Sequence, residues 1–222
     1  MPLKLGPITI PWPKTEDDPY WERFLKSAPA DQRNAITEML GNQPEGAVAP
    51  VKADLHTPEI TSSHIKDLAL YVGSDLTGIA RLPADPDGYQ FAVVCVVKAE
   101  HDPRGAPGIG GQAPVMNGRF STFVLAAYIR ELGYRATTAG SLDPDAQRLA
   151  AAASLGRLDA NGRLVTSRYG DRIHVAEVIR TDLPLAPDGD FSSVPSPDGE
   201  LTSVPSPGGE RTSVPSPLTG EG

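Results

Sequence analysis

The run FAVVCVVK at residues 91–98 places seven apolar residues in a row before its lysine. A strand with one wet face alternates apolar and polar side chains. An unbroken run rich in valine is instead a strand covered on both faces. Such a strand requires packing layers above and below it, so this chain must build a sheet with helices laid on it. The single cysteine, Cys95, lies in the middle of the run and reads as a buried packing thiol, not a reactive one. One cysteine allows no intramolecular disulfide. It also allows no cysteine-rich metal or iron–sulfur site from this chain alone.

The flanking segments supply the other layers. LTGIARL reads as a strand and PADPDG as the turn leading into the central run. TSSHIKDLALYVG reads as a helix capped by Ser62 or Ser63 and stopped at Gly73, with Ile65, Leu68, Leu70 and Tyr71 inside it. GRFSTFVLAAYIRELGYRA reads as a long apolar helix stopped at Gly133, with a short strand at 134–138 behind it. SLDPDAQRLAAAASLG is a helix marked by Asp143 and Pro144 and stopped at Gly156. Asn161-Gly162 is a tight-turn signal between two extended pieces, and DRIHVAEVIRTDLPL is the last strand. Nearer the start, Asp18 and Pro19 open a helix, and a second helix runs from about Pro29 to Leu40. The fold class is therefore α/β, or an α+β sandwich, with a central mixed sheet flanked by helices.

Three regions follow from composition: an N-terminal arm with helices (1–60), the sheet domain (61–190), and a tail (191–222). The tail repeats SSVPSPDGEL, TSVPSPGGER and TSVPSPLTGE, whose Pro, Ser and Gly content buries too little to offset ordering entropy; a disordered tail is expected. The net charge of −8 and the absence of a Lys/Arg cluster argue against a nucleic-acid partner. No apolar run reaches bilayer length, and the opening MPLKLGPITIPWPK is broken by prolines, so no membrane partner is expected and the cytoplasm is the expected location.

Site signals are sparse. The Gly-rich loop 105–111 is read either as an anion-holding loop or as a surface loop that tolerates glycine. The four histidines, His56, His64, His101 and His174, show no metal-pair spacing, so no metal site is expected. There is no Gly-x-Ser-x-Gly elbow for a serine hydrolase. In RYGDRIHV, Arg172 and His174 alternate onto one face of a strand and are read either as an anion contact or as a charged sheet edge.

IKDLALYVGSDLTGIARL, STFVLAAYIRELGYRA and the run from AAAASLGRLDANGR through TDLPLAPD stand in the order of a known family's motifs. From Thr61 to Asp190 the chain resembles the corrinoid-binding domain of reductive dehalogenases and of their relatives, the epoxyqueuosine reductases. The resemblance implies a nitroreductase-like sheet and a bound cobalamin whose cobalt carries out the reduction. It implies cofactor contacts at Phe120, Ser121, Tyr128, Gly156, Asn161, Gly162, Arg163, Tyr169 and Gly170, with the ring in a slot between YIRELGY and the LGRLDANGR hairpin.

Catalytic roles fall by the same resemblance on His174, Arg172 and Ser121. Phe120 stands where the family has its proton donor, and a phenyl ring donates no proton. His174 stands near a family arginine and would titrate near neutrality. The family continues after TDLPL-x-D into a cysteine-rich module, where this sequence has its Ser-Val-Pro-Ser-Pro repeats. The expectation is a corrinoid-binding protein without an iron–sulfur cluster of its own, with room for a homodimer. The alternatives are a reductive dehalogenase-like oxidoreductase fed by a partner ferredoxin or flavoprotein, and an interrupted, inactive relative.

Overall fold

The computed structural model describes residues 37–43, 45–101, 106, 108–139 and 145–194, together with the backbone of residues 3–5 and 8–10. The expected helix from Pro19, the loop residues 102–105 and the tail from residue 195 lie outside the described residues.

Two short strands, β1 (Leu3–Leu5) and β2 (Ile8–Ile10), pair antiparallel. The sheet domain then runs α1 (Pro58–Tyr71), β3 (Leu76–Arg81), β4 (Phe91–Lys98), α2 (Ile109–Glu131), β5 (Ala136–Ala139) and α3 (Ala146–Ala152). It continues through β6 (Arg157–Leu158), β7 (Leu164–Val165), β8 (Ile173–Val175), β9 (Val178–Thr181) and β10 (Gly189–Asp190), and closes on a 3-10 turn at Phe191–Ser193. The six-stranded sheet has the order β10-β3-β4-β9-β5, with β8 also on β4. β10 is parallel to β3, while the other pairings are antiparallel, so the sheet is mixed and flanked by helices.

β4 is covered on both faces, as its composition requires. Phe91, Val93 and Cys95 face a core built with Ile65 and Ala69 of α1 and Leu125, Ala126 and Ile129 of α2. Ala92, Val94 and Val96 face a second core with Leu149, Ala150 and Ala152 of α3 and Leu164 of β7. Cys95 is fully buried, and burial pushes its thiol above the usual range.

Four elements differ from the sequence expectation. α1 starts at Pro58, capped by Thr57, whose side chain accepts from the Ile60 N–H. Thr-Pro-Glu is a cap, an N1 proline and a first-turn acid, and this signal outweighs Ser62 and Ser63. The expected boundary at 61 therefore falls inside a helix.

α2 begins at Ile109, so the glycines at 110 and 111 form its first turn and are not loop. Low glycine propensity hid this, and packing overrides it: Gly111 is buried. Near the middle of α2, a Cβ on Gly118 would come 2.9 Å from the Ala176 Cβ, so this glycine sets how closely helix and sheet approach.

The single expected strand over DRIHVAEVIRT is two strands. β8 pairs with β4 in one register (Val96↔Val175) and β9 in another shifted by one residue (Val93↔Ile179). The extra residue is a bulge at Ala176–Glu177. Across the bulge the alternation breaks, and Ala176 and Glu177 both turn toward α2.

Finally, β10 has no pattern of its own and is held from outside. The Asp188 carboxylate accepts the Ile79 N–H at 2.8 Å and pairs with Lys66 at 2.5 Å. The folded part also continues past Asp190, because Phe191 and Val194 pack against the α3 core.

Candidate functional site

The bulge and the middle of α2 bring charge into the first core layer. Arg119, Phe123, Ala126 and Arg130 recur at helical spacing and line one cavity of about 190 Å³. Its other walls are Leu40, Gly41, Gln43 and Glu45 before α1, Thr138 of β5, and Glu177 of the bulge. Arg119 Nη2 lies 2.6 Å from Glu177 Oε1, and its Nη1 donates to the Thr37 carbonyl at 2.9 Å. Arg130 is buried and donates from Nη1 to the Ala136 carbonyl at 2.8 Å. Glycine and histidine motifs in the sequence do not reveal these residues. The usable signal was two arginines on the otherwise apolar face of α2.

His174 belongs to the same neighbourhood. Opposite Val97 on β4, its ring lies 3.3 Å from where a Gly118 Cβ would stand. Burial, and then the positive charge of Arg119, push its pKa down to about 4. The near-neutral titration expected from sequence is therefore corrected: at pH 7 the ring is neutral and holds no imidazolium proton to give.

The sign of the pH dependence follows. Above about pH 6.5 the imidazole is neutral in both folded and unfolded chains. As pH falls toward 4 the unfolded chain takes up a proton that the folded one refuses, so stability drops, and it levels off below the folded value. The loss reaches on the order of 3 kcal/mol at most. Urea titrations between pH 7 and pH 4 measure it; His174→Gln, which does not titrate, flattens this part of the profile.

Ser121 is completely buried, with Oγ 3.0 Å from the Val72 carbonyl and 2.9 Å from the Asn117 carbonyl. It ties α2 to the end of α1. Arg172 is exposed, whereas His174 is partly buried. Phe120 (49% exposed) and Tyr128 (40% exposed) stand eight residues apart on the outer side of α2, about 12 Å along the axis. Tyr128 also lines a cavity of about 230 Å³ with Asp54, His56 and His64, whose rings meet edge-on at 5.5 Å between centroids. No group of three or more His, Cys, Asp or Glu able to hold a metal occurs among the described residues.

The hairpin residues lie elsewhere. Asp159 Oδ1 accepts the N–H groups of Asn161 and Arg163, each at 2.8 Å, and Gly162 (φ +72°) completes the turn. Gly156 packs its α-carbon against the Val165 carbonyl. Tyr169 and Gly170 form a turn closed by Thr166, with Arg168 over the Tyr169 ring at 5.1 Å. The β6–β7 hairpin carries Leu164 into the α3 core, on the face of the sheet opposite α2. The sheet thus separates the YIRELGY element from the hairpin, and the expected slot between them is corrected: two covered faces leave no common hollow. No hairpin residue lines the 190 Å³ or 230 Å³ cavity, nor the third, of about 360 Å³, which includes Asp85, Tyr89, Thr137 and Arg180.

No family model matches the chain. It is 30% identical over 126 residues to a tetrachloroethene reductive dehalogenase of Desulfitobacterium hafniense, covering 52% of this chain and 23% of that protein. The same figures hold for a tetrachloroethene reductive dehalogenase of Dehalobacter restrictus. Among solved structures, a reductive dehalogenase structure that suggests a mechanism for B12-dependent dehalogenation superposes with a TM-score of 0.61. It is 27% identical and matched over 75% of this chain and 26% of its own. The catabolic reductive dehalogenase NpRdhA in complex with 3-bromo-4-hydroxybenzoic acid shares the fold, with a TM-score of 0.59 at 24% identity over 72% of this chain and 24% of that one. The chain spans about a quarter of the length of these relatives. Over the matched stretch it is similar in sequence and fold to the reductive dehalogenases.

Proposed function

We propose that this chain holds a cobalamin and forms the corrinoid-binding part of a reductive dehalogenase-like protein. The observation that carries the reading is homology over 126 residues together with a fold shared with a structure tied to B12-dependent dehalogenation. The nitroreductase-like character of the sheet and the link to epoxyqueuosine reductases belong to the same proposal and rest on motif order alone.

Among the described residues, the cavities of about 190, 230 and 360 Å³ are too small to enclose a cobalamin, because drug-sized ligands alone take roughly 300–1,000 Å³. What fits is the open outer side of α2. There Phe120 and Tyr128 are each about half-exposed, with Val124 one turn from each. A flat ring would lie against this stripe and take its second wall from outside the described residues. When bound, cobalt supplies the redox chemistry. The chain's own part is to orient the ring and shield one side of it from water. Its single cysteine cannot ligate a four-thiolate cluster, so electrons would come from outside these 222 residues.

Incubation with hydroxocobalamin followed by gel filtration tests the reading. Corrin absorbance is expected to travel with the protein. Phe120→Ala and Tyr128→Ala are expected to weaken retention at least tenfold, and Arg163→Ala on the other face to leave it unchanged. Absence of co-eluting corrin at micromolar protein, or a yellow flavin retained in its place, would overturn the proposal.

A further inference from the structure

Arg130 is a permanently charged side chain that no carboxylate among the described residues neutralises. It is 8% exposed, and its one hydrogen bond among the described residues goes to a neutral carbonyl, Ala136 O. No carboxylate of the described residues pairs with it. The two carboxylates that line the same cavity have other partners: Glu177 holds Arg119 at 2.6 Å, and Glu45 accepts the Thr137 hydroxyl while standing exposed at the rim. A buried guanidinium without a counter-charge is costly, whereas one facing a cavity beside other donors is a fork prepared for an oxyanion. Gln43 and Thr138 contribute an amide and a hydroxyl to the lining. The volume, about 190 Å³, suits a few heavy atoms and excludes a nucleotide or a peptide.

We propose that this cavity, between α2, β5 and the residues Leu40, Gly41, Gln43 and Glu45, is a binding site for a small oxyanion, a carboxylate or a phosphate. Arg130 is the principal ligand, and Gln43 and Thr138 are the polar partners. The site is independent of the corrinoid reading, because it lies on the Arg119–Arg130 side of α2 and not on the exposed Phe120–Tyr128 stripe.

Calorimetric titration of the full chain with inorganic phosphate and, separately, acetate at fixed ionic strength in chloride tests the site. One saturable event per chain is expected, and the stronger of the two ligands identifies the anion geometry preferred. Arg130→Lys keeps the charge and loses the fork, so affinity is expected to fall at least tenfold. Glu45→Gln removes an exposed negative charge at the rim, so affinity is expected to rise several-fold. This second variant carries the test if Arg130→Lys does not fold. Heats that never saturate with either anion overturn the proposal. So does an affinity unchanged in Arg130→Lys, or one unchanged in Glu45→Gln.

Discussion

Glu177→Ala is expected to cost about 3 kcal/mol of folding stability, because it breaks a mostly buried ion pair with Arg119. Glu177 and Arg119 are 9% and 17% exposed, so water does little to replace the lost partner. The Thr37 carbonyl remains on Nη1, and a neutral acceptor offsets only part of the charge. Replacing both members, Arg119→Met with Glu177→Leu, is expected to recover most of the loss, because a paired buried charge is no more stable than apolar groups of similar volume. Urea unfolding of the wild type, Arg119→Met, Glu177→Leu and the double variant gives the coupling directly. Additive losses would mean that the two side chains are solvated and that the bulge holds no buried ion pair.

The second large effect is at Gly133. Its φ is +84°, a region that L side chains adopt only at a cost of about 1–2 kcal/mol. A Cβ there would stand 2.7 Å from Lys52 Cα and from the Val51 carbonyl oxygen, which are backbone atoms that cannot rotate away. Gly133→Ala is therefore expected to cost about 3 kcal/mol, as strain and overpacking combine. The damage has an address. The Ala49 N–H donates to the Arg130 carbonyl and the Ala53 N–H to the Leu132 carbonyl, so residues 49–53 are strapped across the end of α2 at this glycine. Hydrogen exchange at Ala49 and Ala53 is expected to accelerate more than exchange within β4. If the whole sheet loosens equally, the strap is not a separate feature.

Much of the framework was readable because it rests on local rules. The apolar run of β4 announced its two covered faces, and Gly73 and Gly133 announced the ends of α1 and α2. What stayed hidden depends on partners distant in sequence. β10 is two residues long and exists because Asp188 bonds Ile79, over a hundred residues away. The bulge at Ala176–Glu177 is a register shift between two pairings on one strand, which the sequence of 173–181 alone does not encode. Without the bulge, alternation puts Glu177 on the wrong face and the Arg119 pair is invisible. The site residues divide the same way. Phe120 and Tyr128 stand half-exposed on α2, while the hairpin packs on the opposite face, because sequence order says nothing about which face of a sheet an element covers.

The double coverage of β4 reaches beyond architecture. Since this strand lends alternate side chains to the layer under α2 and to the layer under α3, it serves as a wall common to both. Neither layer can melt and leave the other intact, because the survivor would lose the partition on which it rests. Heat or denaturant must therefore dissolve the two in a single cooperative step.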